Sequence, residues 1–411
     1  MVDDRLTLAA DCDRRLVAVE VSSQRTVEWT ITAPQIRHRP DRAPLNLALV
    51  LDRSGSMRGE KLANVQRAAC HLLDLLDERD RVAAIAYDDQ VTTLAASEPI
   101  TEQTRAAGKQ RINSLRPGGQ TDLGSGWLHG CQEVAAHQRD TDVNRALLLT
   151  DGLANQGITD PEKLAHHARE LRRRGISTTT FGVGEDFNEH LLEALAEEGG
   201  GHFYFIERPE QIPDVFRREL GELLTVVARE VFLSVDVPKG VAVELLGDLP
   251  HERDGDRLRI FLGDLGAGER RMLYTHVLLP PDAPGTSVVL HAQLGYADLD
   301  GHAVTLTAEQ WFSYARQAEV QLAPQDKALL SRASEVEMAT AAARALKLDR
   351  SGSRAQAQVV LARSLAASAP YLSAEAAAAY DNLATEMHEG MSEEQRKQAH
   401  FQAYLKRRSR T

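Results

Sequence analysis

Five residues in this sequence carry side chains suited to holding a hard cation. Asp52, Ser54 and Ser56 alternate in the segment Asp52-Arg53-Ser54-Gly55-Ser56-Met57, directly after the apolar run 45–51 (LNLALVL). Thr121 lies in the loop-like segment Pro117-Gly118-Gly119-Gln120-Thr121-Asp122, and Asp151 follows a second apolar run, 146–150. Two carboxylates and three hydroxyls are all hard oxygen donors. A magnesium-like ion takes octahedral oxygen coordination and keeps some water, so these five side chains suffice if one position stays open. In open α/β sheets ligands bind at the carboxyl ends of strands, where Asp52 and Asp151 would stand.

The elements that must hold these residues follow from periodicity. From Leu45 to about Leu220, apolar runs at 45–51, 82–87, 91–94, 146–150, 176–183 and 203–206 read as strands. Between them, Leu62, Val65, Ala69, Leu72, Leu73 and Leu76 fall on one helical face. Further helices are expected at 102–115, 124–137, 161–174, 191–198 and 212–220. Pro161 suits a first turn, and Gly199, Gly200 and Gly201 read as a helix stop. Continuous apolar strands between amphipathic helices imply a parallel sheet covered on both faces.

The flanks have a different period. Val17, Val19 and Val21, then Val27, Trp29 and Ile31, alternate with polar neighbours as half-buried strands do. Residues 37–44 read as a linker. After Leu224 the period of two returns in Val231, Leu233, Val235 and Val237, in Leu258, Ile260 and Leu262 behind an Asp254-Gly255 turn signal, and in Val288, Leu290, Ala292 and Leu294. The expected arrangement is one β-sandwich built from both flanks, with the α/β unit inserted through it. From Pro324 the composition turns helical, broken at 349–352 and at Pro370. Two or three helices are expected there, packed on the β module or on a partner. The expected division is 1–42, 43–222, 223–318 and 319–411.

Composition narrows the function. With 60 acidic against 48 basic residues, the net charge of −12 opposes binding to the phosphate backbone of nucleic acid. Only 406–410 is locally basic, and it reads as a solvated tail. Cys12, Cys70 and Cys131 are odd in number and widely spaced, which argues against disulfides and zinc ribbons and for reduced, buried thiols. The first residues lack the apolar core of a signal peptide, and no apolar run is long enough to span a bilayer. A cytoplasmic protein without membrane contact is expected.

The segment LVLDRSGSM resembles the Asp-x-Ser-x-Ser motif of von Willebrand factor type A (VWA) domain proteins. The resemblance covers about 45–220. It extends to Thr121 as the motif threonine and to Asp151, in LLLTDGLANQG, as the second aspartate. It implies an α/β fold with a Rossmann-like, doubly wound, mostly parallel sheet, and a metal-ion-dependent adhesion site (MIDAS). There the hydroxyls bind Mg²⁺, or Mn²⁺ or Ca²⁺ in its place, the aspartates bind directly or through water, and a partner's Asp or Glu completes the coordination. The wider order of modules is similar to a bacterial, intracellular branch of the family, with a β-sandwich around the A domain and a helical tail. Some such relatives imply a regulatory or ATPase partner.

Neighbouring residues have plainer readings. Asp122 reads as the cap of the next helix, Asp88 and Asp89 as a turn, and His166 and His167 as solvated surface. Three functions compete: a metal-dependent protein-binding module or adaptor, a scaffold whose metal is incidental, and a Mg²⁺-dependent phosphotransfer enzyme. The sequence lacks G-x-x-x-x-G-K-[ST], G-x-S-x-G and H-E-x-x-H, and a phosphotransferase of the haloacid dehalogenase type would carry a carboxylate where Ser54 stands. A non-enzymatic binding module is the expectation.

Overall fold

The computed structural model describes residues 5–35 and 42–408. β1 (Thr7–Cys12) pairs antiparallel with β3 (Ser23–Thr32), while β2 (Leu16–Ala18), between them in sequence, runs parallel to a strand near the end of the sandwich. The expected 17-19-21 alternation stops early: β2 ends at Ala18, and Val21 is 49% exposed in the turn before β3. Most of the linker expected at 37–44 lies outside the described residues. Its end is anchored, because Arg42 is buried and donates to both carboxylate oxygens of Asp80, at 2.8 and 2.7 Å.

The α/β layer follows as β4 (Leu45–Asp52), α1 (Glu60–Leu75), β5 (Arg81–Tyr87), β6 (Val91–Pro99), α2 (Glu102–Asn113), α3 (Leu123–Ala135), β7 (Val143–Thr150), α4 (Pro161–Arg173), β8 (Ser177–Val183), α5 (Glu189–Glu198), β9 (Gly200–Ile206) and α6 (Ile212–Leu223). The strands form one sheet in the order β6-β5-β4-β7-β8-β9, parallel throughout except for the antiparallel edge strand β6. β4 and β7 are buried at every position, which is why their sequences are apolar without alternation. Leu45, Leu47, Leu49 and Leu51 pack with α1 and α6 on one face; Ala48 and Val50 pack with α3, α4 and α5 on the other. The glycine run behaves differently from its expected role as a stop. Gly199 caps α5, but Gly200 and Gly201 open β9. A Cβ on Gly201 would lie 2.2 Å from the Thr178 carbonyl oxygen, so the close β8–β9 approach requires glycine there.

The chain then completes a sandwich with β10 (Val226–Asp236), β11 (Ala242–Leu245), β12 (His251–Asp254), β13 (Arg257–Gly266), β14 (Arg270–Leu279), β15 (Ser287–Ala297) and β16 (Ala303–Ala315). One sheet has the order β1-β3-β14-β11, the other β12-β13-β10-β15-β16-β2. β3 is an interior strand, paired with β14 from Arg270–Thr32 to Leu279–Ser23. Trp29 and Ile31 from the N-terminal flank share one core with Leu233, Val235, Ile260 and Leu294 from the later flank.

The helical region is richer than expected. After the short α7 (Gln317–Leu322) come four helices: α8 (Lys327–Arg350), α9 (Arg354–Ser368), α10 (Ala374–Glu389) and α11 (Glu393–Arg407). The unexpected break lies at Gly390, and Ser392 with Gln395 forms a capping box that starts α11. α8 packs on the sandwich, where Arg332 pairs with Glu28 at 2.7 Å. α11 packs on β9, where the Phe203 amide donates to the Tyr404 hydroxyl at 2.9 Å. The basic stretch expected to be solvated is so only in part: Lys406 is exposed, the two arginines after it are not, and residues 409 and 410 lie outside the described residues. Arg407 and Arg408 are buried; Arg407 pairs with Asp248 at 2.6 Å and with Glu193, and Arg408 donates to the Gly201 carbonyl at 2.6 Å. All three cysteines are free, but only Cys131 is fully buried, against the expectation for Cys12 and Cys70. No helix among the described residues is long and apolar enough to cross a membrane.

Candidate metal centre

Adjacent parallel strands bring two carboxylates together. Asp52 ends β4, and Asp151 follows Thr150, the last residue of its neighbour β7. Both residues are fully buried. Asp52 accepts the Ser54 amide at 2.7 Å on one oxygen and the Thr150 hydroxyl at 2.6 Å on the other. Burial pushes the Asp52 carboxyl up to about 6, and the nearby Asp151 charge adds to the rise, against the lowering effect of the bonds from Thr150 and Ser54.

After Asp52 the chain makes a single 3₁₀ turn, Gly55–Met57, pinned by the buried Met57 side chain. The turn sets the Ser54 and Ser56 hydroxyl oxygens 3.1 Å apart. Ser56 Oγ then donates to Asp151 Oδ1 at 2.7 Å. Ser54 is buried and Ser56 exposed, so the cluster runs from the sheet end to solvent.

The Thr121 loop is stitched to this turn by its backbone. The Gly55 amide donates to the Gly119 carbonyl at 3.0 Å, and the Gly118 amide to the Arg53 carbonyl at 2.6 Å. Thr121 is tied to the loop after Asp151: its amide donates to Asn155 Oδ1 at 2.9 Å, and the Asn155 amide to its carbonyl at 3.2 Å. A Cβ on Gly152 would stand 3.6 Å from Ser56 Oγ and 3.7 Å from Thr121 Oγ1, so both hydroxyls flank one point of the backbone.

The structure therefore gathers Asp52, Ser54, Ser56, Thr121 and Asp151 around one strand-end cleft. Ser54–Ser56 and Ser56–Asp151 touch directly, and Thr121 is held by its backbone. The donor set fits a hard divalent cation: every donor is oxygen, and two buried carboxylates lie where a dication would offset their mutual repulsion. Asp122 caps α3 through the Ser125 amide at 3.0 Å, as expected.

Four supporting residues lay beyond the sequence reading. Lys61, in the first turn of α1, places Nζ 2.5 Å from Asp151 Oδ2. Thr150 and Asn155 make the bonds just described. Asp88, read as a plain turn, is a buried brace: it accepts from the Gln90 amide at 2.9 Å, the Gly119 amide at 3.2 Å and Arg53 at 3.2 Å. A Cβ on Gly118 would fall 1.7 Å from Asp88 Oδ2, so the glycines of the loop make room for this carboxylate. Thr150 carried a sequence signal, as a polar residue closing an apolar strand. Lys61 carried none, because its partner is 90 residues away.

Known proteins share this domain and its fold. Residues 46–218 match the model of the von Willebrand factor type A domain. The Synechocystis protein sll0103 is 31% identical over 297 residues, spanning 70% of this chain and 69% of its own length. The Escherichia coli protein YfbK is 28% identical over 268 residues; the match covers 63% of this chain but only 46% of YfbK. Among solved structures, a von Willebrand factor type A protein from Catenulispora acidiphila has the same fold, with a TM-score of 0.70 at 19% identity, covering 87% of this chain and 86% of that one. With the motif residues collected at the strand ends of this sheet, the chain belongs to the von Willebrand factor type A domain family.

Proposed function

We propose that this protein is a non-enzymatic adaptor that captures a protein partner through a divalent cation held by Asp52, Ser54, Ser56, Thr121 and Asp151. The observation that carries the reading is the graded cluster: buried carboxylates at the sheet end and the solvent-exposed Ser56 hydroxyl at its mouth. A cation seated among neutral hydroxyls, with its aspartates behind, keeps net positive character. It favours an anionic outside ligand, and a partner's Asp or Glu carboxylate meets that need. Mg²⁺ suits the all-oxygen donor set, and Mn²⁺ is a practical substitute. The adaptor reading is preferred to phosphotransfer because Ser54 stands where a phosphotransferase of the haloacid dehalogenase type would carry its second carboxylate.

The test is capture from native lysate in Mg²⁺ and in chelator. Partner recovery in Mg²⁺, lost in chelator and weakened by Thr121→Ala and Ser54→Ala, is expected. Unchanged capture by a folded Asp52→Ala/Asp151→Ala protein would reject the cation bridge and favour the scaffold reading.

A further inference from the structure

A cavity of about 540 Å³ lies at the opposite end of the α/β sheet from the metal centre. Its floor is formed by the first residues of β7, β8 and β9, Val143, Ser177 and Gly200, and its far wall by β10 and β13 of the sandwich. Five arginines line it, and three of them, Arg172, Arg229 and Arg259, have distinctive surroundings. The guanidinium carbon of Arg172 lies 4.2 Å from the ring centre of Phe261, and that of Arg259 lies 4.9 Å from the ring centre of Phe232. Arg229 is 5% exposed and donates only to neutral carbonyls, those of Asp142 at 3.1 Å, Asp298 at 2.8 Å and Asp140. Its Nε is buried without a partner.

None of these three guanidiniums makes a close ion pair among the described residues, although the charges of Glu198 and Glu252 reach Arg172 and that of Glu230 reaches Arg229. Of the three, Arg229 is buried, Arg172 half-buried and Arg259 exposed, and a buried arginine such as Arg229 is normally paired. Four acids share the lining, Asp140, Asp142, Glu230 and Asp264, and two of them are engaged by other groups. Asp264 accepts from Arg145 at 2.6 Å and from the Glu230 amide at 3.2 Å, and Asp142 accepts from the Thr141 hydroxyl at 2.9 Å. Glu230 is the one non-glycine residue with positive φ among the described residues, at 53°, and it sits where the pairing of β10 slips register against β13 and β15. Such strain persists where surrounding structure holds it, and it concentrates at functional sites. Burial and Asp264 push the Glu230 carboxyl up, against the pull of Arg229.

We propose that this cavity binds an organic phosphate of nucleotide size. Guanidiniums outside close ion pairs are the donors a phosphate group requires, and they bind it in bidentate fashion. Arg172 and Arg259 each have one face on a phenylalanine ring, which fixes their planes and leaves the other face for a flat ligand ring to stack on. The volume lies in the range of small-molecule sites and exceeds what inorganic phosphate fills.

The experiment is calorimetry on the full chain in chelator, which silences the metal centre, with AMP, ATP, inorganic phosphate and sulfate as probes. Saturable binding of AMP or ATP, at least about tenfold tighter than inorganic phosphate, is expected. Arg172→Gln and Arg259→Gln should each weaken it about tenfold or more. A wild-type measurement guards against misfolded variants: AMP or ATP should protect Arg172 and Arg259, but not the exposed Arg111, from phenylglyoxal. No saturable nucleotide binding, equal affinity for inorganic phosphate, or binding without protection of these arginines would each overturn the proposal.

Discussion

Lys61 Nζ lies 2.5 Å from Oδ2 of Asp151, while Oδ1 of the same carboxylate accepts the Ser56 hydroxyl at 2.7 Å. One buried acid thus serves both an internal ammonium and the mouth of the proposed cation site. The ammonium offsets the Asp151 charge and also repels an incoming dication.

Lys61→Met should therefore bind Mn²⁺ more tightly, by about tenfold, equivalent to ~1.4 kcal/mol. In chelator the same variant should be less stable by about 1–2 kcal/mol, since a buried carboxylate loses its partner while part of the lysine remains solvent-screened. Manganese calorimetry and urea melts read the two effects. Weaker Mn²⁺ binding by a stable variant would show that the lysine organises the site instead of competing for it.

Metal addition should raise the melting temperature of the wild type in proportion to site occupancy. Asp52→Ala should lose most of that response, because one of the two charges facing the dication is gone. A melting curve in Mg²⁺ that matches the curve in chelator would contradict the donor set assembled above.

The docked tail should be structural. Tyr404 is 2% exposed, its ring centre is 5.6 Å from that of Phe203, and its hydroxyl accepts the Phe203 amide. Tyr404→Ala should lower stability by about 3 kcal/mol in urea unfolding, through cavity formation and an amide left without its partner. A loss below about 0.5 kcal/mol would mean that α11 does not stay docked in solution.

The same interface should weaken as pH rises from acid through neutral. Desolvation, reinforced by Glu193, pushes the Glu197 carboxyl from 4.5 up to about 8, against the pull of Arg407 and Arg408. A raised folded value gives stability that is full below the unfolded value and is lost as pH rises through the folded one. Stability should thus fall between pH 4.5 and about 8, and Glu197→Gln should flatten that fall. Chemical unfolding across this range checks the slope.

Removing the first 35 residues should cause aggregation. β3 lies inside its sheet, so its loss would expose the whole edge of β14 and uncover the core that holds Trp29. A soluble, cooperatively folding remainder would show that the later flank closes the sandwich by itself.

The sequence by itself determined the local chemistry and the layer pattern. Apolar runs such as 45–51 could only be strands buried on both faces, and alternation around Trp29 could only be a strand with one buried face. The order Asp52, Ser54, Ser56, Thr121, Asp151 already marked the loops that meet at the strand ends, because loops after parallel strands share one edge of a sheet. Short-range caps, such as Asp122 on Ser125, were legible because donor and acceptor are neighbours in the chain. Tertiary structure decided what depends on distant partners. It set Lys61 against Asp151 and turned Asp88 from a turn residue into a brace. It also buried Arg407, in a basic stretch that composition alone would leave in water, because Asp248 and Glu193 lie opposite it. Charge patterning cannot reveal such pairings: a charged residue is solvated or paired according to what the fold places opposite it, and periodicity carries no record of that.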